Sequence, residues 1–242
     1  GAAIAFIAYF QSRKIRREAE EKQRMEEELQ QDSLQPVQDE IEQALYLDLI
    51  EIELGYGLLN LVQSNDYGDL SSRIELIKKQ MTQETGFIVP PIRIKDNIQL
   101  EDDYYRIKIK GVEVADNNLI VDRLMVLNPT SKEFEMKGID TKERVFGLDA
   151  RWIEDKDKPL AEEKGYAIID PITLLVTHLT EVIKQNAGEI LGIADVQELL
   201  DKLAKHNPVV VKEVVPKKIE LSELHLILKN LLDERIPIKD LT

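Results

Sequence analysis

The residues that most often carry enzyme or metal chemistry are few in this sequence and lie far apart. His178, His206 and His225 fall on three separate segments, and the chain has no cysteine. Metal centres need clustered His, Cys or carboxylate ligands, so this spacing predicts no metal site. Gly55-Tyr-Gly57 lacks the third glycine of a dinucleotide loop and the lysine of a phosphate loop, so we interpret it as a turn. No nucleophile–base pattern stands out either, and the sequence predicts neither an enzyme nor a cofactor.

Composition favours protein partners over nucleic acid. The chain has 46 acidic and 32 basic residues among 242, which gives a formal net charge of −14. A surface this acidic repels a phosphate backbone, so we expect no nucleic-acid binding. Hydrophobic residues make up 43 %, which is enough for real cores, but only 5 % are aromatic. Those cores must therefore consist mainly of Leu, Ile and Val.

The first 44 residues are unlike the rest of the chain. Residues 1–10 (GAAIAFIAYF) are apolar throughout, and Arg13, Lys14, Arg16 and Arg17 follow at once. Basic residues directly after an apolar run mark the cytoplasmic side of a membrane span. We therefore interpret 1–10 as the end of a transmembrane helix and expect residues after about 17 to lie in the cytoplasm. Residues 11–44 are highly charged and predict a linker.

The elements that must position any functional side chain begin near residue 45. Alternation predicts strands at 47–54, 92–100 and 105–114, the last interrupted at Gly111. Between them Asp69 can cap a helix with an apolar stripe, and Gly86 can end it. Further strands are predicted at 122–127, 149–154 and 166–169, with a helix at 157–164 and an irregular stretch at 130–147.

The remainder of the chain is predicted to be helical. Pro171 suits the first turn of a helix whose apolar face continues to Ile183. Two more apolar stripes follow after 190, and Pro208 and Pro216 interrupt the path between them. The fold class predicted is α+β, with two small α/β units followed by a helical part.

Several segments resemble the cytoplasmic region of the FlhA family of type III export-gate proteins. They are ELGYGLLNLV (53–62), TGFIVPPIRIKDNIQL (85–100), YRIKIKGVEVA (105–115), VFGLDARWI (145–153), THLTEVI (177–183) and LKNLLDERIPIKDL (228–241). The resemblance implies a first subdomain of 49–121 plus 171–190 and a second subdomain, 122–170, inserted into it. It further implies a helical, winged-helix-like third subdomain at 191–242 that is incomplete.

The resemblance also implies a function. Members of this family form a platform of the flagellar export gate in the bacterial inner membrane, where chaperone–substrate complexes and the stalk component of the export ATPase dock. They assemble with their own copies as a nonameric ring, and other export-gate membrane proteins are further partners. The alternatives are an injectisome export-gate protein, a membrane-tethered regulator that binds DNA through its helical end, and an unrecognised hydrolase.

The family's chaperone-binding motif falls on Phe146, Thr177 and Glu143. An exposed aromatic ring supplies apolar anchoring area, while a threonine and a carboxylate add directional hydrogen bonds. The alternative from the residues themselves is that Phe146 belongs to the core and Thr177 is an ordinary helix-surface residue.

Overall fold

The computed structural model describes residues 48–63, 69–128 and 134–241. All of these residues belong to one compact unit that begins at Asp48. The predicted transmembrane end at 1–10 and the charged linker at 11–44 lie outside the described residues. Across the three described stretches, no helix is both long and apolar enough to cross a membrane.

The first half of the unit is built on a four-stranded sheet in the order β2-β1-β3-β4. Its strands are β1 (Ile50–Leu54), β2 (Ile92–Asp96), β3 (Tyr104–Ile109) and β4 (Val112–Asn118). Strands β1 and β2 pair in parallel, whereas the β1–β3 and β3–β4 pairs are antiparallel. The crossover from β1 to β2 contains a 3₁₀ turn (Tyr56–Leu58), α1 (Asn60–Gln63) and α2 (Leu70–Thr85).

Helix α2 has the two ends that the sequence predicts. The Asp69 side chain accepts a hydrogen bond from the Ser71 amide, and Gly86 ends the helix in the left-handed conformation with φ of 77°. A side chain at Gly86 would also collide with the chain after the last helix, since a Cβ there would lie 2.3 Å from the Lys239 Cα. Gly86 therefore serves both as a cap and as a close-packing position.

The two faces of this sheet have opposite character because side chains alternate along each strand. Ile50, Ile52 and Leu54 are fully buried on the inner face. On the outer face, Glu53 of β1 pairs with Lys108 of β3, and Asn97 donates to the same carboxylate over 2.8 Å. These partners lower the pKa of Glu53, although burial acts in the opposite direction and is the largest single influence.

A second four-stranded sheet, in the order β6-β7-β5-β8, follows in the chain and is antiparallel throughout. Its strands are β5 (Arg123–Leu127), β6 (Ile139–Lys142), β7 (Asp149–Glu154) and β8 (Ala167–Ile169). A 3₁₀ turn (Asp155–Asp157) and α3 (Lys158–Glu163) connect β7 to β8. Both faces of β5 are covered: Leu124 and Val126 form a small core with Ile153, while Met125 and Trp152 join the main core.

In the described residues after β8, the chain forms five helices. They are α4 (Pro171–Gln185), α5 (Ala187–Ile190), α6 (Ile193–His206), α7 (Pro208–Val214) and α8 (Leu221–Asp233). Helix α4 buries the apolar face predicted from the sequence, and α6 and α8 add Val196, Leu228 and Leu232 to the same core. The α+β class is confirmed, whereas the division into three subdomains stays a prediction.

Some boundaries differ from those predicted. The strand predicted to run to 100 ends at Asp96, because Asn97 starts a turn in which its side chain accepts from the Gln99 amide over 2.9 Å. The stretch predicted to be irregular at 130–147 contains β6, and α7 lies where two prolines predicted only an interruption.

Candidate functional site

The candidate site is centred on a short loop, residues 143–148, that connects β6 to β7. The Glu143 amide donates to the Leu148 carbonyl over 2.8 Å, which closes the loop. Gly147 has φ of 67°, and a Cβ placed there would meet no atom within 4 Å. The glycine is therefore required by the left-handed backbone and not by lack of space.

Glu143 holds this loop from inside. Its carboxylate is almost buried, with a residue exposure of 5 %. One oxygen accepts from the Val145 amide over 2.8 Å and the other from the Phe146 amide over 2.7 Å. Hydrogen bonds to a charged acceptor are stronger than neutral ones. The predicted direct hydrogen bond from Glu143 to a partner does not fit this burial, since the carboxylate is engaged in orienting the loop.

Phe146 points its ring into solvent. The residue is 71 % exposed, and Leu148 on the same loop is 49 % exposed. The alternative that Phe146 belongs to the core is therefore wrong. Two large apolar side chains on a fixed loop form a surface whose burial by a partner would release water and favour binding.

Thr177 lies on α4, half-buried, next to His178. The N-terminus of this helix is fixed by Asp170, which accepts from the Thr173 amide over 2.9 Å, and by Pro171 in the first turn. The helix is thus a rigid support for the Thr177 hydroxyl.

His178 connects α4 to the first sheet, and charged residues of the 143–148 loop influence its pKa. Its Nδ1 lies 2.7 Å from the Tyr105 hydroxyl. Burial is the main reason that the pKa of His178 is lowered, and the positive charge of Arg144 adds to the shift, while Glu143 and Asp116 oppose it. Burial likewise raises the pKa of Tyr105 above its usual value. A series of contacts also links His178 to the loop, since Tyr105 lies opposite Asn117 in the β3–β4 pair and Asn117 accepts a hydrogen bond from Arg144.

Arg144 extends from the loop to the edge strand of the other sheet. Its Nε donates to the Asn117 Oδ1 over 3.3 Å, and its Nη2 lies 3.9 Å from the Asp116 Oδ2. The Tyr104 hydroxyl donates to that same Asp116 carboxylate. Sequence reasoning missed this group, and the available signal was the position of Arg144 between two predicted site residues.

The arrangement is suited to binding and offers little for catalysis. Within the described ranges, no group of three or more His, Asp or Glu residues could hold a metal ion. The exposed groups of the loop are an aromatic ring, an aliphatic side chain and a guanidinium. Such groups bind an apolar or amphipathic protein surface by contact.

Comparison with known proteins agrees with the resemblance of the motifs. The model of the FHIPEP family matches residues 1–242. The flagellar biosynthesis protein FlhA of Bacillus subtilis is 39 % identical over 238 residues, which is 98 % of this chain and 35 % of the relative. The chain thus spans about a third of the length of that relative.

Solved structures share the fold of this chain. In the structure of the Chlamydia pneumoniae CdsV and CdsO protein complex, the matched chain has a TM-score of 0.72 and 24 % identity, with 81 % of this chain and 61 % of that chain covered. The cryo-EM structure of nonameric EPEC SctV-C gives a TM-score of 0.58 and 19 % identity, with 81 % of this chain and 57 % of that one covered. From the family match over its whole length and its identity to FlhA, this chain belongs to the FHIPEP family.

Proposed function

We propose that this chain is part of a flagellar type III export gate, where it acts as a docking platform for chaperone–substrate complexes. The observation that carries the proposal is the 39 % identity to a flagellar FlhA along 98 % of the chain. Identity to the solved CdsV and SctV chains is 24 % and 19 %, which favours the flagellar branch over the injectisome alternative.

The docking surface of this proposal consists of Phe146 and Leu148 on the 143–148 loop together with Thr177 on α4. Support comes from the exposure of both apolar side chains and from the two amide hydrogen bonds by which Glu143 holds the loop. In this arrangement the ring supplies apolar contact area, and the Thr177 hydroxyl adds a directional hydrogen bond at the helix edge. Glu143 acts on the partner only through the loop.

The proposal extends to assembly and location. The nonameric state of SctV-C supports a ring of nine copies, and the CdsV–CdsO complex supports contact with export ATPase components, here the stalk. The apolar segment 1–10 and the basic residues after it fit an anchor in the bacterial inner membrane, with residues after about 17 in the cytoplasm. Other export-gate membrane proteins are the expected neighbours of that anchor.

Titration calorimetry of the chain against a flagellar chaperone–substrate complex tests the docking surface. An aromatic side chain buries about 150–250 Å² when covered, and most of the Phe146 ring is free to be covered. At about 25 cal/mol per Å², covering 71 % of that area corresponds to roughly 3–4 kcal/mol. Because alanine keeps part of this surface, Phe146→Ala should cost about 2–3 kcal/mol, or about 30- to 150-fold in affinity. Thr177→Met should also weaken binding, because it removes the hydroxyl and adds bulk at the same position.

Val209→Ala is a matched control for Phe146→Ala. Val209 on α7 is also 71 % exposed and apolar, but it belongs to a different element. We expect its affinity to equal that of the unchanged chain. Equal affinities of the Phe146→Ala, Thr177→Met and Val209→Ala variants would remove the site assignment. If the chain binds an injectisome chaperone–substrate complex more tightly than the flagellar one, it belongs to an injectisome export gate instead.

A further inference from the structure

The 143–148 loop belongs to the second sheet, yet one of its side chains is bound to the first. Arg144 donates to Asn117 near the end of β4 and lies close to Asp116, 28 residues before it in the chain. Helix α4, which carries Thr177, is joined to the first sheet by the hydrogen bond between His178 and Tyr105 on β3, and it also contacts β5 of the second sheet. A residue that joins the 143–148 loop to the first sheet can therefore set the position of the loop relative to α4.

We propose that Arg144 is a positioning residue that fixes the Phe146 loop relative to Thr177, an inference that rests on the proposed docking function. Its backbone lies inside the segment that Glu143 holds through the Val145 and Phe146 amides. Its side chain leaves that segment and ends on β4. The loop is therefore fixed at two levels: its internal shape by Glu143, and its place relative to the first sheet by Arg144.

The receiving groups on β4 are themselves oriented. The Tyr104 hydroxyl donates to the Asp116 Oδ2, the same oxygen that lies 3.9 Å from the Arg144 Nη2. A planar guanidinium can donate to an amide oxygen and face a carboxylate at the same time, which a lysine ammonium does less well. This combination selects one direction for the Arg144 side chain.

Arg144 should influence position far more than global stability. Its side chain is 55 % exposed, and ion pairs of such exposure contribute little to folding. Met125 and Trp152 of the second sheet are buried in the core shared with the first. Loss of Arg144 should therefore leave the sheets packed together and loosen only the loop.

Spin-label distances test this positioning without any partner. The chain has no cysteine, so Val112→Cys on β4 and Leu148→Cys on the loop give a unique pair of labels at exposed positions. Adding Arg144→Met should broaden the distance distribution between the two labels. Lys142→Met is the matched control, because it also removes one positive charge. The Lys142 Nζ lies 3.8 Å from the Asp149 Oδ1 on the same hairpin, so this ion pair does not reach the first sheet. A distribution that stays narrow in Arg144→Met, or broadens equally in Lys142→Met, would overturn the proposal.

Binding of a flagellar chaperone–substrate complex supplies the second readout. Arg144→Met should lower affinity about two- to fivefold, the effect expected for one partly exposed polar contact, and Lys142→Met should not. In a double-mutant cycle, Arg144→Met combined with Asn117→Ala should be no weaker than Arg144→Met itself, because both changes break the same contact. If the losses of affinity in the two single variants instead multiply in the double variant, Arg144 contacts the partner directly. That result would overturn the positioning role.

The two proposals fail in different ways. If Phe146→Ala leaves binding unchanged while Arg144→Met broadens the label distances, the docking site is wrong and the positioning of the loop stands. If Phe146→Ala abolishes binding while the label distances stay narrow, docking stands and Arg144 has no positioning role.

Discussion

Replacing Glu143 by glutamine should release the loop that carries Phe146 while keeping the size of the side chain. The carboxylate accepts from two amides, at 2.8 Å from Val145 and 2.7 Å from Phe146. Glutamine retains one acceptor oxygen and presents an NH₂ group to the other amide, so one bond is lost and the other becomes neutral. A hydrogen bond to a charged group contributes about 1.5–3 kcal/mol, so the free energy of opening the loop should fall by about 2–3 kcal/mol.

Amide hydrogen exchange measures this opening residue by residue. A fall of about 2–3 kcal/mol corresponds to exchange about 30- to 150-fold faster at the Val145 and Phe146 amides. Amides of β5 should keep their protection, because that strand lies between two partners in the sheet.

A charge-matched variant separates the hydrogen bonds from the loss of a negative charge. Asp149→Asn removes a carboxylate whose side chain is 84 % exposed at the start of β7. Its exchange rates at Val145 and Phe146 should match those of the unchanged chain. Unchanged rates in Glu143→Gln, or equal acceleration in both variants, would refute the view that the buried carboxylate fixes the loop.

Two further predictions concern packing and pH. Gly86→Ala should be at least about 2 kcal/mol less stable in urea unfolding than Gly165→Ala. Both positions have positive φ, but a Cβ on Gly86 would also collide with Lys239. Equal losses of stability would mean that this close approach is absent. His178→Gln should flatten the dependence of stability on pH just below 6.5. The folded-state pKa of His178 is lowered, so the unfolded chain binds the proton more readily and stability falls as pH decreases through that window. Glutamine cannot take up the proton but can still accept from Tyr105, and an unchanged slope in the melting temperature between pH 5 and 7 would contradict this account.

Helix α2 shows where sequence was sufficient. Its cap at Asp69, its apolar stripe and its left-handed stop at Gly86 are all signals within a few residues of the element that they define. Strand β1 was predictable for the same reason, since strict alternation places Ile50 and Ile52 on one face and Glu51 and Glu53 on the other.

Strand β6 shows where local sequence was insufficient. The segment Ile139-Asp-Thr-Lys142 contains one apolar residue and has no alternation, yet it pairs antiparallel with β7 from Ile139↔Trp152 to Lys142↔Asp149. Its strand conformation comes from the hydrogen-bonding partner, which a window of neighbouring residues does not include. Helix α7 was missed because Pro208 and Pro216 predicted an interruption of the helical path, although Pro208 at the first turn of α7 fits a helix start.

Part of the candidate site was likewise predictable from the sequence, and part of it was not. The family resemblance predicts a binding role for Glu143, Phe146 and Thr177, and the exposure of Phe146 agrees with that prediction. For Glu143 the resemblance predicts a hydrogen bond to a partner, whereas its carboxylate is buried and accepts from two amides of its own loop. Sequence alone does not show whether a carboxylate is buried. The Arg144–Asn117 contact joins residues 27 apart on two sheets, and no local pattern predicts such a pair.

In the proposed docking function, the fixed and exposed ring of Phe146 is an effective anchor for a reason that follows from its burial energy. Because the residue remains 71 % exposed, folding uses only a small part of the free energy available from covering its ring. The loop conformation that presents the ring is instead stabilised by Glu143, whose hydrogen bonds form in the absence of any partner. A partner that covers the ring therefore gains the remaining burial energy without first having to order the loop. Pre-organisation of this kind reduces the entropy lost on association. In the proposed function, the two hydrogen bonds of Glu143 therefore strengthen a contact that Glu143 itself does not make.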